Sequence, residues 1–150
     1  IINLEKLHLS LKKMDLDSSD SEEYYKFSYE LGILQKNTEK LRNKLFGIEC
    51  NYEELNGIDF KKGCYVGQEN TSRIKLRNKL SKRLLPIQLI EGKLIEGSPI
   101  KNNDNEIGKV LINDQYPFAI VKYLSDYFDP KIEYKSEEAV LKIIKPDWIK

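Results

Sequence analysis

Cys64 is the residue whose surroundings in the sequence best suit chemistry. It directly follows Lys61, Lys62 and Gly63, and a helix is expected to begin near Gly67. Cations and a helix N-terminus lower the pKa of a thiol, and the thiolate is the form that attacks electrophiles or binds metals. The two glycines would let the backbone bend and admit a ligand. The segment predicts a reactive thiol; the alternative is a small buried apolar residue, as most free cysteines are.

A row of charged residues follows the cysteine. Over the helix expected at 67–77, Glu69, Arg73 and Arg77 are spaced i, i+4, i+8 and share one face. Glutamate ahead of arginine at this spacing is worth only a few tenths of a kcal/mol. The row is interpreted either as part of an anion-binding site or as an ion-pair ladder on a solvated surface.

The positive charge of the chain is concentrated around this cysteine. Net charge is only +1 overall, but residues 61–83 carry 8 basic residues and 1 acidic residue between two mildly acidic flanks. This block predicts an anionic ligand or partner, although a solvated helix face has the same composition. An RNA-binding module is one alternative, but Tyr65 is the only aromatic residue of the block that could stack on a base.

The remaining candidates for chemistry are few. The chain has two cysteines and one histidine, His8, which together cannot supply the four ligands of a structural zinc site. Cys50 is interpreted as a core residue, and a Cys50–Cys64 disulfide is permitted by spacing but disfavoured in a reducing compartment. A structural role is favoured for His8. No apolar run approaches the ~20 residues of a membrane-spanning helix.

The first part of the chain is expected to mix helices with irregular structure. Residues 1–13 predict a strand or an irregular entry. A helix is then expected from a cap among Ser18, Asp20 and Ser21 to Gly32, and a shorter helix over 38–45. The apolar face of the first helix is predicted to pack in the core through Tyr24, Tyr25, Phe27, Tyr29, Leu31 and Ile33.

The second part of the chain predicts a small antiparallel barrel. Short apolar runs alternate with turn signals after Ser81, which is typical of such folds. Pro86 indicates an edge strand. The predicted domains are 1–81, which is α+β, and 82–150, which is all-β. Strands are expected near 84–90, 99–102, 106–113, 117–124, 131–135 and 138–145.

The segment Lys62-Gly63-Cys64-Tyr65-Val66-Gly67-Gln68-Glu69, followed by Arg73, resembles the K-G-C-Y-x-G-Q-E-x-x-x-R signature of the YgfZ family. Every fixed position matches. Glu49, Leu55, Gly57 and Phe60 resemble the lead-in of that family, Arg83-Leu84 the start of its barrel, and 106–110 a barrel strand of the wider aminomethyltransferase-like superfamily. The family tends to carry an arginine where this chain has Ser28 and Tyr29.

This resemblance implies the fold, the ligand and the partners. It implies part of an aminomethyltransferase-like α+β domain followed by a β-barrel, and the binding of tetrahydrofolate. It implies an accessory role in the assembly or repair of iron–sulfur proteins, including radical enzymes that thiolate tRNA, with the assembly machinery or its client enzymes as partners. By this resemblance, Cys64 would be the functional thiol. The other matched positions would belong to the folate-binding site: Lys62, Gly63, Tyr65, Gly67, Gln68, Glu69 and Arg73.

The resemblance also bears on completeness and location. It implies the C-terminal half of a longer protein, and a first residue of Ile1 agrees with this. The expected location is the cytoplasm of a bacterium or the mitochondrion of a eukaryote, with no direct contact to nucleic acid or membrane. Three functions are open: the accessory protein, which is not a conventional enzyme; a folate-dependent aminomethyl- or methyltransferase; and a fragment with no function of its own.

Overall fold

The computed structural model describes residues 3–16, 18–63, 72–73 and 81–149. Two α-helices and one short 3-10 helix precede six strands. The helices are α1 (Leu4–Lys12), α2 (Ser21–Glu30) and the 3-10 helix (Thr38–Leu41), and the strands are β1 (Lys82–Glu91), β2 (Pro99–Asn102), β3 (Asn105–Ile112), β4 (Phe118–Lys122), β5 (Glu133–Ser136) and β6 (Ala139–Ile143).

The six strands form a closed antiparallel barrel in the order β1-β4-β3-β2-β5-β6. Strand β1 closes it, because Lys82–Pro86 pair with β4 and Ile87–Glu91 pair with β6. The barrel and the position of its strands confirm the prediction from the alternating runs and turn signals. Closure leaves no unpaired edge, so the expectation that Pro86 marks an edge strand is wrong. Pro86 lies where β1 changes partner, and its carbonyl accepts a hydrogen bond from Ile144 N–H at 2.9 Å.

The barrel interior is filled by aliphatic side chains and one tyrosine. Its fully buried members include Leu85, Ile100, Val121, Tyr134 and Leu141. Gly108 allows two strands to approach closely, since a Cβ there would lie 2.5 Å from the Ile120 carbonyl oxygen. Burial on this scale, at roughly 25 cal/mol per Å² of apolar surface, makes the barrel the stable part of the described chain.

A second apolar cluster joins the outer face of the barrel to the residues before it. Leu84, Ile112 and Phe118 from the barrel pack with Leu41, and the partly buried Tyr29 and Leu45 lie against them. Residues 21–60 therefore form a layer on the outside of β1, β3 and β4. The division into domains at residue 81 and the aminomethyltransferase-like nature of the first part stay predictions.

Helix α1 contradicts the expectation of a strand or irregular entry over 1–13. Asn3 caps it, and its Oδ1 accepts hydrogen bonds from the N–H groups of Glu5 and Lys6 at 3.0 and 3.2 Å. Glu5 in the first turn and Lys12 in the last turn also suit the helix dipole. None of its residues is buried, so the cap and these charges favour the helix more than core packing does. Its leucines fit two periods, since Leu4, Leu7 and Leu11 are spaced as on one helix face whereas Leu7, Leu9 and Leu11 alternate as in a strand.

Helix α2 is confirmed, with Asp20 as its cap and Gly32 just beyond its end at φ 74°. Its packing face differs from the predicted one. Tyr24 and Phe27 are more than half exposed, whereas the Tyr29 hydroxyl donates a hydrogen bond to the Ile87 carbonyl at 2.7 Å. The ring of Tyr29 also packs edge-on against Phe118. Tyr29 is thus a residue through which α2 docks on the barrel.

The C-terminal segment completes the attachment of α2. Trp148 Nε1 donates to the Leu31 carbonyl at 2.8 Å, and a Cβ on Gly32 would collide with the Pro146 ring. The helix expected over 38–45 is shorter than predicted, because only Thr38–Leu41 is helical and 3-10 in form. The helix expected over 67–77 lies outside the described residues except for Ser72 and Arg73, which are helical. Among the described helices, none is long and apolar enough to cross a membrane.

The substitution Tyr29→Phe tests how α2 is attached. Loss of the half-buried hydrogen bond to Ile87 is expected to lower the free energy of unfolding by about 1 kcal/mol at pH 7. Burial raises the pKa of Tyr29 from 10.0 to about 12, so the unfolded chain loses this proton first and stability falls between those pH values. The variant should lose less stability over that range. Urea denaturation at pH 7 and above pH 10 measures both effects.

Tyr127→Phe is the matched control, because Tyr127 is about half exposed and lies in the connection between β4 and β5. Equal stability losses in the two variants at pH 7 would contradict the docking role of Tyr29.

Candidate functional site

Residues 37–57, here called the turn segment, contain the 3-10 helix and precede the signature. Four asparagines in it adopt left-handed backbone conformations with φ near 60°: Asn37, Asn43, Asn51 and Asn56. Asparagine tolerates this conformation better than other residues with a Cβ. The repeated left-handed residues fold the segment into consecutive tight turns instead of one helix.

Backbone and amide hydrogen bonds attach the turn segment to the start of β1. Leu84 N–H donates to the Glu49 carbonyl at 2.8 Å, and Asn51 Nδ2 donates to the Leu84 carbonyl at 2.8 Å. Asn51 is 2% exposed, so its amide acts as a buried bridge. Removing such a bridge would leave a buried carbonyl unpaired.

An ion pair reinforces this attachment. Arg83 Nη2 lies 2.5 Å from Glu54 Oε1, and the two side chains are 14% and 23% exposed. Arg83 Nη1 also donates at 3.4 Å to Asn51 Oδ1 and at 3.5 Å to the Ile48 carbonyl. The residues just before the signature are therefore held against the first residues of the barrel.

A cleft of about 730 Å³ opens between the turn segment and β1. This volume is within the range of small-molecule sites. Arg42 is the only charged residue that the structure describes along its wall, and Gln35, Thr38 and Asn43 add polar groups. Its apolar walls are formed by Ile33, Leu34, Leu41, Leu45, Leu55 and Leu84. The cleft suits a ligand with an apolar body and an anionic group.

Cys50 lines the same cleft and carries a free thiol. It packs against the second apolar cluster and is half-buried, which agrees with its interpretation as a core residue. Burial, and to a smaller extent the charge of Glu49, raises the pKa of the Cys50 thiol to about 11. The thiol is therefore protonated at neutral pH and is a poor nucleophile.

The structure describes three of the predicted site residues. Lys62 and Gly63 are exposed at the end of the turn-rich stretch, and a Cβ at Gly63 would meet nothing within 4 Å among the described atoms. Arg73 is also exposed. The others lie outside the described residues: Cys64, Tyr65, Gly67, Gln68 and Glu69. Their assignment to the site stays a prediction. Within the described stretches, no group of three or more potential metal-ligating side chains is found.

Sequence reasoning missed the cleft, Arg42 and the Glu54–Arg83 pair. Arg83 and its neighbour Leu84 resemble the start of the family's barrel, but nothing in the sequence names Glu54 as the partner. The four asparagines in 37–56 could have indicated the consecutive left-handed turns of this segment.

Comparison with known proteins identifies relatives over part of the chain. The chain is 46% identical over 61 residues to the mitochondrial iron–sulfur cluster assembly factor IBA57 homolog of Aspergillus oryzae, which is 41% of this chain and 14% of that protein. It is 38% identical over 84 residues to the homolog of Pyricularia oryzae, covering 56% of this chain and 22% of that protein. The mouse IBA57 factor is 37% identical over 75 residues, or 50% of this chain and 21% of that protein.

No family model matches the chain. The matched segments span less than a quarter of the length of these relatives. Together with the signature and the barrel, these relatives confirm the resemblance to the YgfZ family that the sequence carries. Over the matched segments, the chain is similar to the IBA57 assembly factors.

Alkylation of Cys50 tests the environment of the cleft thiol. In a Cys64→Ser variant, the reaction of Cys50 with iodoacetamide at pH 7 is expected to be on the order of 100-fold slower than that of a thiol of pKa 9.0, because the thiolate fraction falls tenfold for each pKa unit. The rate should rise steadily up to about pH 11. Mass spectrometry of the labelled peptide measures it. Labelling at the rate of a free thiol at pH 7 would contradict the buried setting.

Proposed function

We propose that this chain works in the assembly or maintenance of iron–sulfur proteins, with Cys64 as its working thiol and tetrahydrofolate as its ligand. The observation that carries the proposal is the similarity to proteins named iron–sulfur cluster assembly factors. The complete signature around Cys64 supports it. Because the chain matches only part of those proteins, the activity, the ligand and the partners of this chain are all proposals.

The contrast between the two cysteines supports Cys64 as the working group. Cys50 is half-buried, and its thiol has a raised pKa. Cys64 follows Lys61 and Lys62, both of which are exposed, and nearby cations favour a thiolate. Two cysteines are too few for the four thiolates that usually hold a cluster. The chain therefore acts as a helper that contacts a cluster or a client protein transiently.

The cleft supports the binding of a folate. Tetrahydrofolate has a reduced pterin and a benzoyl ring joined to a glutamate with two carboxylates. The apolar walls of the cleft, including Leu34 and Leu55, suit the rings, and Arg42 is placed to pair with a carboxylate. Folates carry one-carbon units or reducing equivalents when bound. This chain's own residues would bind and orient the ligand.

The proposed location and partners follow from the same relatives, whose names place those proteins in mitochondria. We extend the mitochondrial location to this chain. Its partners would be the iron–sulfur assembly machinery or client [4Fe–4S] enzymes, among them radical enzymes that thiolate tRNA. A folate-dependent transferase is disfavoured, because one-carbon transfer from folate has no use for a signature thiol.

Complementation tests the role of Cys64. In bacteria that lack their own family member, the chain is expected to restore methylthiolated tRNA, and Cys64→Ser is expected to abolish the restoration, because the substitution removes the thiolate but keeps the size of the side chain. Liquid chromatography and mass spectrometry of tRNA digests measure the modification.

His8→Ala is the control, because His8 is the only histidine and lies exposed on α1, far along the chain from the signature. It should complement as the wild type does. Full rescue by Cys64→Ser would contradict the proposal. So would failure of the wild-type chain both alone and when joined behind the N-terminal part of the host's own family member.

Folate binding tests the cleft separately. Arg42→Gln is expected to weaken tetrahydrofolate binding about 5- to 10-fold, which corresponds to roughly 1 kcal/mol for an exposed charge-assisted contact. Isothermal titration under anaerobic conditions measures the affinity. Lys44→Gln is the matched control, because Lys44 pairs with Glu96 at 3.5 Å and does not line the cleft. Equal affinities of all three proteins would place the folate elsewhere.

A further inference from the structure

Tyr52 is the only aromatic residue among the described residues that line the cleft. It is 49% exposed, so much of its surface is accessible to a ligand. The other lining residues are aliphatic, polar or small. Tyr52 therefore gives the cleft one flat aromatic surface, of the kind on which another aromatic ring packs in an offset or edge-on arrangement.

Backbone hydrogen bonds fix the position of Tyr52 in the turn segment. Its N–H donates to the Gly47 carbonyl at 3.2 Å, and its carbonyl accepts from the N–H groups of Gly57 and Ile58 at 2.6 and 3.1 Å. The residue directly before it is Asn51, whose amide bridges to the Leu84 carbonyl of β1. The backbone that carries the aromatic ring is thus held on both sides and attached to the barrel.

Two glycines lie against the Tyr52 side chain. A Cβ at Gly47 would lie 3.1 Å from Tyr52 Cδ2, and a Cβ at Gly57 would lie 3.3 Å from Tyr52 Cβ. The side chain occupies the space that these two residues leave open, which restricts its orientation before a ligand binds. A side chain that is already ordered costs less conformational entropy when a ligand packs on it.

We propose that Tyr52 is the residue on which the benzoyl ring of tetrahydrofolate stacks. This inference rests on the proposed binding of the folate in the cleft. The benzoyl ring is the fully aromatic ring of this ligand, and one amide joins it to the glutamate that is proposed to pair with Arg42. Because Arg42 and Tyr52 line the same cleft, a ligand held by its carboxylate brings its aromatic ring into the cleft with Tyr52. Stacking there would favour folates over ligands that have a glutamate but no ring.

Titration of two variants with tetrahydrofolate tests the role of the aromatic ring. Tyr52→Leu keeps an apolar side chain but removes the ring, and we expect it to bind tetrahydrofolate about 5-fold more weakly, because an aromatic pair contributes more than its buried area alone. Tyr52→Phe keeps the ring and should bind as the wild type does. Isothermal titration under anaerobic conditions measures the affinities, and urea denaturation shows whether each variant is folded.

Tyr127→Leu is the matched control, because Tyr127 is similarly exposed at 51% and is not among the residues that line the cleft. Its affinity for tetrahydrofolate should equal that of the wild type.

A second measurement uses the unsubstituted chain and so does not depend on the stability of a variant. We expect nuclear Overhauser effects between the ring protons of Tyr52 and the benzoyl protons of bound tetrahydrofolate. Comparison with the spectrum of Tyr52→Phe assigns the Tyr52 signals.

Two results would overturn the inference and leave the proposed folate binding intact. One is equal affinity of the wild type and folded Tyr52→Leu, because the ring would then only cover Gly47 and Gly57. The other is bound tetrahydrofolate whose benzoyl protons show no contact with the Tyr52 ring. Failure of the wild-type chain to bind tetrahydrofolate is a different outcome, which would contradict the folate part of the proposed function and this inference with it.

Discussion

Burial of the first half of β1 on both faces, at residues 84–87, is the constraint on which the described structure depends. Leu85 and Ile87 point into the barrel, whereas Leu84 lies under the layer formed by residues 21–60. The same strand closes the barrel through β4 and β6. The core, the docking of α2 through Tyr29, and the attachment of the turn segment through Asn51 therefore all meet on one strand. A change that shifts β1 would disturb the barrel and the cleft together.

The sequence predicts those parts of the fold that local patterns decide. Turn signals and short apolar runs mark the strands well, because each strand must alternate its side chains and end at a turn. Helix α1 is hard to predict because its leucines fit two periods: Leu4, Leu7 and Leu11 are spaced as on a helix face, whereas Leu7, Leu9 and Leu11 alternate as in a strand. The Asn3 cap is a weak signal on its own. The burial of Tyr24 and Phe27 cannot be predicted from periodicity, which shows that an apolar face exists but does not show which neighbour covers it.

In the candidate site too, local features can be predicted from the sequence and long-range contacts cannot. The signature around Cys64 is contiguous, so the sequence alone presents it as a unit. The cleft and the Glu54–Arg83 pair join residues far apart in the chain, and their contacts follow from the docking of the turn segment on β1. This docking also sets the environment of the Cys50 thiol. It buries Cys50 beside Glu49 and raises its pKa, whereas the exposed Lys61 and Lys62 lead directly into Cys64.

Iron incorporation into a client protein shows whether the Cys64 thiol serves iron–sulfur assembly. Cells that lack their own family member would express either the chain or its Cys64→Ser form at equal level, and radioactive iron in an immunoprecipitated [4Fe–4S] protein would be counted. We expect the wild-type chain to restore the incorporated iron and Cys64→Ser to leave it at the level of cells with no family member. Equal incorporation with both forms would contradict a role of this thiol in iron–sulfur assembly.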